Sequence, residues 1–212
     1  AMAAPAAAGT LQVNPVLVTI GGDRRTATVT VKNEEAAPVT IRAYSLAWHQ
    51  ADGQDNYEEN GAVIVSPPIF TIPPGGTQLV RVGLRNPAAR PQAYRLIIEE
   101  EPEATPAEGI RVALRLNLPL YATIQAGDAA QLRWSAERGT DGGWVIVAQN
   151  PGSGYVRLGG DAAREATGVR FEDTVNFGTV LPGVTRRWPV GPELRIEDAA
   201  RFRQIQRTVA RE

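Results

Sequence analysis

Cysteine is absent from the 212 residues. This excludes structural disulfides, thiolate metal sites and a cysteine nucleophile, while leaving the compartment open. His49 is the only histidine, and one imidazole cannot build a histidine-based catalytic pair or a multi-histidine metal centre. Lys32 is the only lysine, so nearly all the positive charge is arginine. Neither sign of charge dominates: 22 basic against 23 acidic residues give a formal net charge of −1. That balance argues against a nucleic-acid or anionic-membrane footprint. No apolar run approaches the roughly 20 residues a membrane helix needs, so no membrane insertion is expected. Helical periodicity is nearly absent before residue 197. The first residues, Ala-Met-Ala-Ala-Pro-Ala-Ala-Ala-Gly, have neither a basic n-region nor the apolar core of a signal peptide. They are consistent with the start of a mature secreted chain and are set aside for fold reasoning.

What the chain has instead is alternation. In Gly109–Tyr121 large apolar residues fall at every second position: Ile110, Val112, Leu114, Leu116, Leu118 and Leu120. Arg111, Arg115 and Asn117 lie between them. A period of two puts all the large apolar side chains on one face of an extended strand. Pro119 tends to confine such a strand to a sheet edge, and a long apolar edge is normally an aggregation hazard. Two readings stay open. Either this is a hairpin strand whose apolar face lies in its own core, or it is an edge kept for pairing with another chain.

Elsewhere, short alternating or β-branched runs recur between Gly, Pro, Asn and Asp. In the first half they are Leu11–Ile20 (changing phase at Asn14-Pro15), Thr26–Lys32, Pro38–Trp48, Val63–Val65, Leu79–Leu84 and Tyr94–Ile98. Strands at this spacing predict a β-sandwich. The second half repeats the pattern with Gln131–Ala136, Trp144–Ala148, Tyr155–Leu158, Gly168–Phe171 and Arg186–Val190. Turn signals separate them at Asp141-Gly142-Gly143, Asn150-Pro151-Gly152 and Leu181-Pro182-Gly183. The fold class is therefore all-β with two sandwich domains. The boundary falls just after Tyr121, near Gln125-Ala126-Gly127-Asp128, giving an N-terminal domain over 10–122 and a C-terminal domain over 123–212. Asp198 could cap a short helix carrying Phe202, Ile205 and Val209 on one face, and a final strand or a disordered end fits residues 197–212 equally well.

Few residues suggest chemistry. His49 follows Trp48 at a strand end and reads as a surface residue. Glu99, Glu100, Glu101 and Glu103 sit beside Pro102 and Pro106, and they read as a solvated loop rather than as the carboxylate pair of a glycosidase. Asp52, Asp55, Asn56 and Glu58 lack the ordered ligand pattern of a calcium loop. Pro67-Pro68 and Pro73-Pro74 stiffen turns, and one of these X-Pro bonds is a candidate for the cis form. Trp134, Trp144 and Trp188 read as core or cleft residues of the second sandwich. No catalytic residue, metal site or cofactor is expected.

Several stretches together resemble a known family: Val29-Thr30-Val31-Lys32-Asn33, then Ser66-Pro67-Pro68-Ile69-Phe70-Thr71-Ile72-Pro73-Pro74-Gly75 leading into Gln78-Leu79-Val80-Arg81-Val82. Tyr94–Glu100 then leads through a loop into the alternating strand, and the second half carries Asn150-Pro151-Gly152 and Val180–Gly183 followed by Arg186-Arg187-Trp188. The combination resembles the periplasmic pilus-assembly chaperones of the chaperone–usher pathway, most of all their archaic, non-classical branch, over roughly Leu11 to Val190. The resemblance implies two immunoglobulin-like domains in an L or boomerang arrangement and a periplasmic location. It implies donor-strand complementation, in which the chaperone completes a pilus or fibre subunit that lacks its last strand and carries it to an outer-membrane usher. Ile110, Val112, Leu114 and Leu116 then match the pocket-filling positions of the donor strand, with Leu118 as a fifth.

Burying four or five such side chains contributes roughly 6–15 kcal/mol before the costs of association and ordering. Classical members also hold the subunit's terminal carboxylate with an Arg on the first strand and a Lys on the donor strand. Leu17 and Pro119 occupy those positions here, so that anchor is missing, as it is in non-classical members. Arg95, Arg115 and Arg81 are the candidates for a substitute, because arginine grips a carboxylate with two parallel hydrogen bonds. When free, two such edges could cap one another in a homo-oligomer. The alternative function is a structural or adhesive surface module of two immunoglobulin-like domains, which would expose no long apolar edge.

Overall fold

A computed structural model of the chain describes residues 11–22, 24–101, 113–123, 128–140, 142–159 and 177–190. Among them there is no helix, as the missing 3.6-residue periodicity anticipates. The chain divides into two compact units, Ala1–His49 with Asn56–Ala126, and Gln50–Asp55 with Gly127–Glu212.

The first unit is a sandwich of two sheets. One contains β1 (Leu11–Asn14), β3 (Thr26–Asn33), β8 (Thr77–Leu84) and β6 (Val63–Ser66), in that spatial order. The other runs β2 (Val18–Gly21), β10 (Arg115–Thr123), β9 (Gln92–Glu100), β4 (Val39–Ala51) and β5 (Gln54–Glu59), with β7 (Ile69–Ile72) also paired to β4. The apolar residues of each strand alternate into one shared core: Val29 and Val31, Val80 and Val82, Ile41, Leu96 and Ile98, Leu118 and Leu120 all lie in it. The run Leu11–Ile20 resolves into two strands. Its phase changes at Asn14-Pro15, which is cis, as is Ser66-Pro67. β1 pairs antiparallel with β3 in one sheet and β2 pairs parallel with β10 in the other.

Two strands of this unit carry no apolar alternation to announce them. β5 reads Gln-Asp-Asn-Tyr-Glu-Glu and is almost wholly exposed, and β7 lies inside a proline-flanked stretch. β5 also absorbs the acidic residues that a calcium loop would need: Asp52 and Gly53, both at positive φ, make the tight turn from β4, and Asp55 and Glu58 are strand residues.

The second unit has a three-stranded sheet of β11 (Arg133–Arg138), β12 (Trp144–Gln149) and β15 (Thr185–Val190), and a pair, β13 (Val156–Leu158) with β14 (Gly178–Val180). Ile146, Leu158, Phe177, Val180 and Trp188 form its core, with Trp134 and Trp144 packed against it. The expected strand Gly168–Phe171 and the segment 197–212 lie outside the described residues.

No sequence repeat links the two units, yet both use one device. A buried asparagine ends a strand in each. Asn33 Nδ2 lies 2.8, 3.1 and 3.3 Å from the carbonyls of Ala37, Ile72 and Pro73, and its Oδ1 accepts from Glu35 N–H. Asn150 Nδ2 faces the carbonyls of Gly154, Val180 and Leu181, while its Oδ1 accepts from the N–H groups of Gln131 and Gly152. Each asparagine fastens the turn after its strand to a distant turn of one design, Pro73-Pro74-Gly75-Gly76 or Leu181-Pro182-Gly183-Val184. In both, the last N–H donates to the first carbonyl, and the third residue is a glycine at positive φ, 67° and 75°. Proline second and glycine third is the signature of a type II turn. The asparagines of the two recognised motifs are thus structural staples. Each has buried polar partners that would be orphaned without it.

Replacing Asn33 or Asn150 by alanine should each cost about 3 kcal/mol, because several buried carbonyl and amide groups lose their partner. Urea unfolding of each variant checks this; an unchanged midpoint would reject the staple role.

Candidate functional site

The unusual feature of the first unit is β10. On one side it pairs with β9 from Arg115 to Ala122. On the other it pairs with β2 only from Leu120 to Thr123. Arg115–Pro119 therefore has one neighbouring strand, and its other edge has no ladder partner among the described residues. β2 comes in close at its far end: a Cβ on Gly21 would stand 2.1 Å from the Thr123 carbonyl oxygen, so only glycine fits there. Upstream the chain crosses over through Val16 and Leu17, which are 66% and 41% exposed.

The inner face of β10 changes character along its length. Leu120 is fully buried and Leu118 is 8% exposed, both inside the first unit's own core. Leu116 is half-buried against that core, and Leu114 is half-buried just before the strand begins. Ile110 and Val112 lie outside the described residues. Leu118, expected as a fifth pocket-filling residue, is placed otherwise: its side chain is committed to its own sandwich. A period of two identifies a face, but not the point along the strand where a domain's own core ends.

The outer face of the same sheet is laid out in register rows across β4, β9 and β10. The first is Arg42–Glu99–Arg115, then Tyr44–Ile97–Asn117, Leu46–Arg95–Pro119, and Trp48–Ala93–Tyr121. Arg95 thus stands directly beside Pro119. Its guanidinium lies 3.7 Å from the centroid of Trp48 and 5.7 Å from that of Tyr57, and Nε, which is buried, has no hydrogen-bond partner among the described residues. Tyr57 and Tyr121 flank Trp48 at 6.5 and 6.0 Å between ring centroids. Stacking holds the cation flat without neutralising it.

The other two arginines are elsewhere. Arg115 Nη2 donates to the Tyr44 hydroxyl at 3.2 Å and its Nε lies 4.0 Å from Glu99. Arg81 is exposed on β8 in the opposite sheet, in register with Thr28 and Ser66. The three candidates do not converge on one site. Leu17, one residue before Val18, belongs to the neighbourhood of Pro119, since Val18 pairs with Leu120.

The acidic stretch is a correction. Glu99 and Glu100 are not loop residues but the end of β9. Glu99 accepts from the Tyr44 hydroxyl at 2.8 Å and lies 3.6 Å from Arg42. Glu100 is buried. Their partners are far away in sequence, so local composition could not reveal them. His49 sits on β4 with Nε2 3.6 Å from exposed Glu58. No group of three or more His, Cys, Asp or Glu among the described residues could hold a metal.

These features match known proteins. Residues 10–123 match the family described as the pili and flagellar-assembly chaperone, PapD N-terminal domain. The chain belongs to this family. It is a family of chaperones and not of enzymes. The chaperone protein FaeE of Escherichia coli is 26% identical over 158 residues, which cover 71% of this chain but 59% of FaeE. Among solved structures, the chain is similar to that of a chaperone–tip adhesion subunit pre-assembly complex, CsuC–CsuE, from the archaic chaperone–usher Csu pili of Acinetobacter baumannii. The TM-score is 0.70 and the identity 21%, covering 86% of this chain and 88% of that one. It is also similar to the structure of the Salmonella enterica pilin SafA with the chaperone SafB, at a TM-score of 0.66 and 17% identity, covering 89% and 87%. The E. coli chaperone DraB gives 0.63 and 15%, covering 87% of each chain. Among these neighbours the pilus chaperones have two immunoglobulin-like domains, the fold class of this chain.

Two phenols on this sheet ionise late. The Tyr44 pKa is raised by burial and by its bond to Glu99, against the opposing pull of Arg115. That of Tyr94 is raised by burial. A raised pKa favours the fold while the phenol is neutral; this contribution is present below the unfolded value, near 10.0, and lost as pH climbs through the folded one. In an alkaline titration followed by tyrosinate absorbance, Tyr44→Phe and Tyr94→Phe should each remove part of the late change. An early part removed instead would contradict the assignment.

Proposed function

We propose that this protein is a periplasmic chaperone that captures incomplete subunits of a pilus or related surface fibre by donor-strand complementation and passes them to an outer-membrane usher. The single observation that carries the reading is the half-open edge of β10, with an apolar face that grows less buried toward Leu114. Within Arg115–Pro119, the outward backbone N–H and C=O groups of Arg115 and Asn117 are available to a strand from another chain, which is the physical basis of strand addition. The segment offered to a subunit groove is Ile110, Val112, Leu114 and Leu116. Burying these four side chains contributes about 6–12 kcal/mol before the costs of association and ordering. Leu118 anchors the donor to its own domain instead of entering the groove. A purely structural or adhesive module would have no use for such an edge. Free molecules can protect the edge by pairing with a second copy.

For the subunit's terminal carboxylate we assign Arg95 ahead of Arg115 and Arg81. Arg95 shares a register row with Pro119, which the resemblance equates with a basic anchor position, and it has no ion pair among the described residues. Arg115 is already engaged by Glu99 and Tyr44, and Arg81 lies on the other sheet. Moving the charge by one strand within the same row keeps a cation on that patch of the face after Leu17 and Pro119 have replaced the basic pair.

Val112→Glu with Leu114→Glu should leave the thermal midpoint of the free protein near that of the wild type and abolish co-purification with a co-expressed pilus subunit. Undiminished complex would refute the donor assignment. Arg95→Ala should weaken capture of the same subunit by about tenfold or more, as expected for a lost charge-assisted pair. Arg81→Ala should leave capture as it is. The reverse order would move the anchor to β8.

A further inference from the structure

The stretch of β10 with one neighbouring strand is held by β9 alone, and its register decides what it displays. A slip of one residue would turn Leu114 and Leu116 outward and Arg115 inward. Two consecutive carboxylates at the end of β9 act at this point, from opposite faces. On the outer face, Glu99 sits between Arg42 and Arg115 in one row, 3.6 and 4.0 Å from them, and accepts from Tyr44. Tyr44 in turn accepts from Arg115, which closes the ring of contacts. Arg42 is held from its other side by Glu101, at 2.7 Å.

On the inner face, Glu100 is buried and meets the residue before Arg115. Its N–H donates to the Leu114 carbonyl at 2.9 Å. The Leu114 N–H is then taken by the Glu100 side-chain carboxylate at 3.3 Å. A side chain thus replaces backbone as acceptor in the last pair of the ladder. Arg115 opposes Glu99 in register, so both carboxylates act within the same two rows. A strand slipped by one residue would present Leu116, in place of Arg115, to Glu99.

We propose that Glu99 and Glu100 are positioning residues that clamp Leu114 and Arg115 to β9, fixing the register of the strand. Beyond the clamp, Leu118 and Leu120 belong to the strand's own sandwich. At the clamp, Leu114 and Leu116 are held in the phase that an incoming subunit would meet. The clamp itself is a property of the free protein; its part in donation rests on the chaperone reading given above.

The test uses the full chain. Amide hydrogen exchange at Leu114–Leu118 is compared between wild type, Glu99→Ala/Glu100→Ala, Glu99→Gln and Glu100→Gln. The double variant should exchange about tenfold faster there, as expected for the loss of a charge-assisted hydrogen bond, with the core amides of Val29 and Val80 unchanged. Glu100→Gln, which keeps an oxygen to accept from Leu114, should restore most of the protection. Unchanged exchange at Leu114–Leu118, or loss of protection shared equally with Val29 and Val80, overturns the clamp. If the double variant does not fold, Glu99→Gln is read by the same criterion, because it keeps an acceptor for Tyr44 and removes only the charge facing Arg42 and Arg115.

In a second arm, a pilus subunit is diluted from urea into each protein and the rate of complex formation is measured. The double variant should capture it about five- to tenfold more slowly, as expected when a pre-organised edge is lost. Equal rates overturn the clamp's part in donation. A wild-type protein that captures nothing overturns the chaperone reading, and the exchange arm still decides whether the clamp exists.

Discussion

Strand β10 has neighbours on both sides only over three residues near its end, Leu120–Ala122. A β-strand flanked twice is closed to further pairing, and one flanked once retains a row of unpaired donors and acceptors. β10 is both, in succession. Leu118 and Leu120 seal the strand into the core, so the unpaired edge is carried on a rigid base. Backbone valence at the edge and apolar surface at the face change together along a few residues. That coincidence separates this edge from ordinary sheet margins, which proteins shorten, charge or cover.

The rest of the first unit serves that arrangement. The core valines and leucines hold the two sheets together, and Asn33 ties the turn after β3 to the Pro73–Gly76 turn through the interior. The second unit repeats the staple with Asn150, against a turn of the same design. Two units with no recognisable sequence repeat therefore share a solution to one problem, the satisfaction of buried backbone carbonyls where strands end. On the outer face of the β10 sheet, the rows grade from a charged end at Arg42–Glu99–Arg115 to an aromatic end at Trp48–Ala93–Tyr121, with Arg95 in between.

Much of this was legible in the residues. Alternation marked most strands, the phase change at Asn14-Pro15 marked a real break, and Gly109–Tyr121 stood out as the unusual strand before any fold was known. Three things were not legible, each for a physical reason. β5 is polar on nearly every residue, so no periodicity marks it. The depth to which Leu118 is buried depends on what packs above it, whereas alternation reports direction alone. Glu99 and Glu100 sit in a run of like charges beside Pro102, the local signature of a solvated loop. What makes them strand residues is Arg42, Tyr44, Leu114 and Arg115, contributed by other strands and invisible to any window of sequence. The same holds for Arg95, whose meaning comes from Trp48 and Pro119 across the sheet.

The first strand changes sheets between Asn14 and Val18, and where it arrives decides how much of β10 stays unpaired. If β2 began three residues earlier, Val16 and Leu17 would run alongside Leu118 and Pro119 and the aperture would narrow to a residue or two. If it began later, the aperture would widen into the part of the strand that seals the domain. The crossover is therefore an aperture stop. Its length, set by a few residues around a proline, trades the reach of the exposed edge against the integrity of the sandwich that supports it.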